Sequence, residues 1–88
     1  MSLAPRIEAT LRDALAPVAE LQVRDDSALH AGHAGAREGG HFHVTIESDR
    51  FAGLTRVARH RLVYDALGPL TSLGVHALAI VARAPGEG

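Results

Sequence analysis

The chain has 88 residues, which is enough for one small domain but not for two. It contains no cysteine, so disulfides and thiolate metal sites are excluded, and any metal bound by this chain alone must use histidine nitrogens or carboxylate oxygens. The net charge of -1 argues against strong nonspecific binding to DNA or to an acidic membrane, although the 6 histidines add positive charge at low pH.

The first predicted element is a helix over "MSLAPRIEATLRDALAPV". Ser2 is a candidate N-cap, Pro5 suits the first turn, and Pro17 marks the expected end. The apolar residues that recur at helical spacing are Leu3, Ile7, Leu11, Ala14, Leu15 and Val18.

No apolar run approaches the ~20 residues of a membrane span and no signal-peptide pattern opens the chain, so we expect a cytoplasmic protein.

Two strands are predicted next, as an antiparallel hairpin with a long glycine-rich loop. "AELQVRDD" alternates, with Leu21 and Val23 facing inward, and the loop runs over 27–40. "HFHVTIES" is the clearest strand. Its two faces are Phe42, Val44 and Ile46 on one side, and His41, His43, Thr45 and Glu47 on the other.

A second helix and a third strand complete the predicted domain. Thr55 is a candidate N-cap for "RVARHRLVYDAL", which Gly68 and Pro69 end, and "LTSLG" suggests one more helical turn. In "VHALAIVARA" the set Val75, Ala77, Ala79 and Val81 alternates with His76, Leu78 and Ile80. Because both sets are largely apolar, we predict a well-covered or central strand. "PGEG" predicts a disordered tail.

The order αββααβ predicts a two-layer α+β domain over 1–84, with helices on one face of a three-stranded sheet and a disordered tail over 85–88. The unit of the second strand, the second helix and the third strand should be a right-handed crossover if those strands are parallel neighbours.

Four of the 6 histidines fall in "HAGHAGAREGGHFHV". His41 and His43 are two residues apart on one strand face, a spacing that can chelate a divalent ion. We favour the alternative that they bind no metal and lie on a solvated or helix-facing side of the strand. The G-x-x-G within "GHAG" precedes a strand, whereas in K-homology domains this motif joins two helices and clamps nucleic acid, so we interpret it as a coincidence. The chain has neither a phosphate-loop motif nor a G-x-S-x-G elbow.

The segments "DDSALHAGHAG", "GGHFHVTIESDRFAGLTRVARHRLVYDALG" and "GVHALAI" resemble the BolA-like protein family over nearly the whole chain. The most specific parts are "F-x-G-L-x-x-x-x-RHRLVYDAL" and "VHALAI". The resemblance implies a fold similar to class II K-homology domains and a non-enzymatic role. Members pair with monothiol glutaredoxins, share a glutathione-supported [2Fe–2S] cluster with them, and act in iron–sulfur trafficking and iron homeostasis.

The resemblance also implies the cluster ligands. The histidine of the "VHAL" motif is His76, and the second ligand is a Cys or His of the long loop. This chain would use histidine, with His30 in the "DDSxxH" position and His33 as the alternative. No cluster is expected in the isolated chain, which we expect to be a monomer or a weak homodimer that does not bind membranes.

The alternative function is a DNA-binding transcriptional regulator of stress response and cell morphology, as some bacterial members are described. Arg59, His60 and Arg61 are candidate contacts with a partner protein or with nucleic acid. His60 lies on a helix between two arginines, which suits a structural or contact residue better than a metal ligand.

Overall fold

The computed structural model describes residues 3–26 and 40–87. The predicted order αββααβ and the α+β class are confirmed. The elements are α1 (Ala4–Ala14), β1 (Val18–Asp25), β2 (Gly40–Ser48), a short 3-10 helix (Asp49–Phe51), α2 (Arg56–Leu67), α3 (Leu70–Leu73) and β3 (Val75–Arg83). Within the described ranges, no helix is both long enough and apolar enough to cross a membrane.

The three strands form one sheet in the order β1-β2-β3. β1 and β2 are antiparallel, with Val23 opposite Val44, and β2 and β3 are parallel, with Val44 opposite Ile80. The hairpin is therefore as predicted, and β2 and β3 are the parallel neighbours that the expected crossover required. The prediction of a covered or central third strand is wrong, because β2 is central and β3 lies at an edge, where Val81 is 42% exposed.

A register shift interrupts the start of the β2–β3 pairing. Gly40 lies opposite Val75, but His41 lies opposite Ala77, so His76 is an extra residue in β3. Val75 is buried whereas Ala77 is exposed, although strict alternation would place them on one face. The predicted grouping of Val75 with Ala77 is therefore wrong, because a β-bulge inserts one residue and shifts the alternation by one.

The hydrophobic core lies between the helices and one face of the sheet. Phe42, Val44 and Ile46 are buried as predicted, while His41 and His43 on the opposite face are half-buried. The buried apolar residues are Ile7, Leu11, Leu15, Phe42, Val44, Ile46, Phe51, Val63, Leu67, Val75 and Ala84. Because β2 contributes three fully covered side chains, it anchors both the core and the histidines on its other face.

Local signals set the bounds of the helices. Pro5 lies in the first turn of α1, which ends at Ala14, earlier than the predicted end at Pro17. The candidate cap Ser2 lies outside the described residues. The Thr55 hydroxyl accepts a hydrogen bond from the Ala58 N–H (3.1 Å), as the predicted N-cap of α2. Gly68 follows α2 with a φ of 76°, a conformation that a side chain would strain.

A buried hydroxyl connects the end of β2 to the turn after α1. Ser48 is 0% exposed, and its Oγ donates a hydrogen bond to the Leu15 carbonyl (2.6 Å) and accepts one from the Arg50 N–H (3.1 Å). Arg50 Nε donates to the Ala16 carbonyl in the same turn (2.9 Å). These bonds fix the helix layer relative to the sheet.

A disordered tail is predicted for residues 85–88, and the structure describes residues 85–87 of it. The chain turns after β3, and the Glu87 N–H donates to the Ala84 carbonyl (3.2 Å). The Glu87 carboxylate then bonds to Arg59 on α2, which holds the tail against the domain. Residue 88 lies outside the described residues.

Candidate functional site

Two histidines meet at the start of β2 and β3. His76 is exposed, and its ring centroid lies 5.1 Å from that of His41, with an angle of 50° between the ring planes. The bulge turns His76 away from the core, which brings it beside His41. The register of β2 against β3 therefore determines that the two histidines are neighbours.

The spacing of the two rings suits a shared metal ligation. Two imidazoles bound to one tetrahedral metal through nitrogens at about 2.1 Å have ring centres roughly 5 Å apart. The observed 5.1 Å equals that separation, but Nε2 of His41 is buried, so His76 is the member of the pair that is exposed to a partner. His41, but not His76, lines a shallow groove of about 260 Å³, together with Asp26, Ala77 and Ala79.

An arginine–carboxylate pair borders this site. Arg24 Nε donates to Asp26 Oδ1 (2.7 Å), and a second bond joins Arg24 Nη2 to Asp26 Oδ2 (3.2 Å). The hydrogen bond to Asp26 and its charge raise the pKa of Arg24. The Asp26 N–H donates to the His41 carbonyl (2.7 Å), so the residue that follows β1 is held beside His41.

The structure describes one of the three histidines predicted as cluster ligands. His76 lies at the start of a strand as expected, whereas His30 and His33 lie outside the described residues. Across 3–26 and 40–87, no group of three or more His, Cys, Asp or Glu side chains is placed to hold a metal ion. The sequence interpretation of His41 as a solvated strand residue missed its proximity to His76, which depends on a parallel register that the sequence does not reveal.

A second site lies at the other end of β3. Arg59 is packed along its length, and its side chain is 13% exposed. Its Nε donates to the Leu54 carbonyl (3.0 Å) and one terminal nitrogen donates to the Ala82 carbonyl (3.2 Å). The two terminal nitrogens bind both Glu87 oxygens at 2.6 Å. This hydrogen bonding, with the Ala84 N–H, lowers the pKa of Glu87 to about 2.

A groove of about 560 Å³ opens beside Arg59, between α2 and the edge of β3. Arg56, His60 and Arg83 also line it. Arg61 instead lies on the exposed side of α2, where it borders a separate shallow surface. The three candidate contact residues therefore do not form one surface: Arg59 is bound within the fold, His60 is shared between both surfaces, and Arg61 faces solvent.

Comparison with known proteins identifies the family. A profile of the BolA-like protein family matches residues 11–87. The chain is 47% identical over 88 residues to SufE-like protein 1, chloroplastic/mitochondrial, of Arabidopsis thaliana, an alignment that covers 93% of this chain and 24% of that protein. It is 44% identical over 80 residues to the DNA-binding transcriptional regulator BolA of Escherichia coli (strain K12), covering 91% of this chain and 73% of the relative.

The solved structures agree. The BolA domain of SufE1 from Arabidopsis thaliana superposes with a TM-score of 0.84 at 45% sequence identity, covering 100% of this chain and 98% of that domain. The chain thus spans about a quarter of the full-length plant protein but nearly all of its BolA domain. Since sequence and fold agree over most of its length, the chain belongs to the BolA-like protein family.

Proposed function

We propose that this chain is a non-enzymatic adaptor that pairs with a monothiol glutaredoxin and co-ligates a [2Fe–2S] cluster through histidines, in iron–sulfur trafficking and iron homeostasis. The observation that carries the proposal is the exposed His76 ring at the start of β3, whose centroid lies 5.1 Å from that of the half-buried His41. Exposure of His76 gives a partner direct access to the ligand.

The donor set fits a cluster shared with another molecule. A [2Fe–2S] cluster can take two imidazoles on one iron and two thiolates on the other. This chain has histidines but no cysteine, so the thiolates must come from the glutaredoxin and glutathione. When bound, the cluster supplies the iron and sulfide that are passed on.

The chain's own residues have distinct roles in this proposal. His76 is a ligand on a rigid strand, and His30 or His33 is the ligand from the loop. His41 either positions the His76 ring or ligates in place of the loop histidine. Since a protonated imidazole cannot bind a metal, retention of the cluster decreases as the pH falls.

Reconstitution with one substitution at a time tests the proposal. The chain is mixed with a monothiol glutaredoxin, iron, sulfide and glutathione, and visible absorption and circular dichroism are recorded. We expect a spectrum distinct from that of the glutaredoxin alone, which His76→Ala abolishes. His43→Ala is the matched control, because this half-buried histidine lies on β2 but is neither a predicted ligand nor a member of the His41–His76 pair. Equal spectra for wild type and His76→Ala contradict the proposal.

The same assay assigns the second ligand. If a loop histidine ligates, His30→Ala or His33→Ala changes the spectrum as strongly as His76→Ala. If His41 ligates instead, His41→Ala has that effect and both loop variants keep the wild-type spectrum.

The second candidate function is a DNA-binding transcriptional regulator of stress response and cell morphology. The name of the Escherichia coli relative supports it, and the arginine-lined groove offers cationic groups. A gel-shift titration at increasing salt tests it, because phosphate contacts weaken linearly with the logarithm of salt concentration. Absence of binding at low salt contradicts this function for the isolated chain.

A further inference from the structure

The groove between α2 and β3 is rich in cationic groups, and two carboxylates lie beside its arginines: Glu87, which binds Arg59, and Glu47, which lies opposite Arg83 in the β2–β3 register. Arg56, Arg59 and Arg83 line it together with His60, and no acidic residue is among its lining residues. Within 3–26 and 40–87, the ion pairs include that of Arg59 with Glu87, but none involves Arg56 or Arg83. The Nε atom of Arg83 is buried and lacks a hydrogen-bond acceptor.

Arg59 is held in place before any ligand binds. The Leu54 carbonyl fixes its Nε and the Ala82 carbonyl fixes one terminal nitrogen, so both α2 and β3 determine the position of the guanidinium. A guanidinium fixed in this way presents two parallel N–H groups, which match the two oxygens of a carboxylate.

Glu87 shows that a carboxylate fits this position. Both of its oxygens bind Arg59 at 2.6 Å, and one also accepts a hydrogen bond from the Ala84 N–H (3.0 Å). The Glu87 side chain is 42% exposed, so it covers Arg59 from the solvent side and can be displaced without unfolding the core.

We propose that this groove is a binding site for an acidic peptide segment of a partner protein. In the free chain, Glu87 takes the place on Arg59 that a carboxylate of the peptide would occupy. An entering segment displaces Glu87 from Arg59 and places further carboxylates near Arg56 and Arg83. A single tail carboxylate satisfies one guanidinium, whereas a segment with several acidic side chains satisfies all three. The bound carboxylate favours an acidic peptide over nucleic acid as the ligand.

The site is separate from the histidine pair. His76 and Arg83 lie near opposite ends of β3, and seven residues of strand correspond to roughly 23 Å. Binding in the groove therefore leaves the exposed face of His76 accessible, and this inference does not depend on the proposed cluster ligation.

Fluorescence anisotropy with defined probes tests the site. The probe is a short fluorescein-labelled peptide of alternating glutamate and glycine, and its counterpart has glutamine in place of glutamate. We expect only the acidic peptide to bind. Because Glu87 competes for Arg59, Glu87→Gln should tighten binding about threefold or more. Glu87 lies on the exposed tail, so this variant is expected to keep the wild-type circular dichroism spectrum.

Matched arginine variants locate the binding. Arg56→Gln and Arg83→Gln should each weaken binding about threefold or more, because each removes a charge that faces the ligand. Arg61→Gln is the control, since Arg61 is an exposed arginine of the same helix that does not line the groove. An equal effect of Arg56→Gln and Arg61→Gln overturns the proposal, as does equal binding of the glutamine peptide.

A labelled DNA duplex of mixed sequence is titrated in the same buffer. If the duplex binds more tightly than the acidic peptide and responds to Arg56→Gln and Arg83→Gln, the groove is a nucleic-acid site and the peptide proposal is wrong. Weaker binding of the duplex, with no response to these variants, supports the peptide proposal.

Discussion

The buried Ser48 hydroxyl makes a quantitative prediction about the joint between helices and sheet. In Ser48→Ala the Leu15 carbonyl loses the donor at 2.6 Å, in a place where Ser48 itself is 0% exposed to water. An unsatisfied buried acceptor costs about 1–3 kcal/mol. The Arg50 N–H also loses its acceptor, but Arg50 is exposed and water replaces it, so that loss adds little.

We therefore expect Ser48→Ala to lower the free energy of unfolding by about 2 kcal/mol, which is roughly an 8–16 °C decrease in Tm for a domain of this size. Urea denaturation followed by circular dichroism measures it, with an unchanged m-value showing that the unfolded state is the same. Ser72→Ala is the control, because Ser72 is exposed on α3 and should change stability by less than about 0.5 kcal/mol. Equal stabilities of the two variants refute the reasoning.

Four further outcomes are expected. Thr55→Ala should cost about 1 kcal/mol in urea denaturation because the Ala58 N–H loses its cap. Gly68→Ala should cost about 1–3 kcal/mol in urea denaturation, because a φ of 76° with a ψ of -165° lies in a region essentially confined to glycine, while an added Cβ meets no atom within 4 Å; an unchanged stability would contradict this strain. Phe51→Ala should cost about 3–5 kcal/mol by leaving a core cavity, and partial unfolding at 25 °C by circular dichroism is the expected readout. The pKa of Glu87 is lowered from 4.5 to about 2, so its stabilising effect is complete above that ordinary value and is lost as the pH falls towards 2. The stability difference between wild type and Glu87→Gln should therefore shrink across that interval, and a difference independent of pH would contradict the assigned ion pair.

Signals confined to neighbouring residues were sufficient to predict most elements. The alternation in β2, the cap at Thr55 and the stop at Gly68 each depend on a few adjacent residues, and the structure confirms them. The last strand differs because pairing determines its place. Its two apolar faces suggested a central strand, but the edge position leaves Val81 exposed.

The sites were predictable to a smaller extent. The family motif pointed to His76, but the approach of His41 requires both a parallel neighbour and a bulge, neither of which has a local sequence signal. The Arg59–Glu87 contact joins residues 28 positions apart, and the composition of "PGEG" alone favoured a disordered tail. Contacts between segments that are distant in the sequence therefore could not be predicted from local patterns.

The bulge at His76 makes the side chain at this position independent of the hydrophobic core. An extra residue in a strand replaces no core side chain, so the side chain at this position contributes little to packing and is exposed to solvent. Residue 76 can therefore be exchanged for cysteine, aspartate or a non-natural ligand at little cost in stability. The domain thus provides a scaffold on which the side chain exposed at this position can be varied while the rest of the protein stays constant.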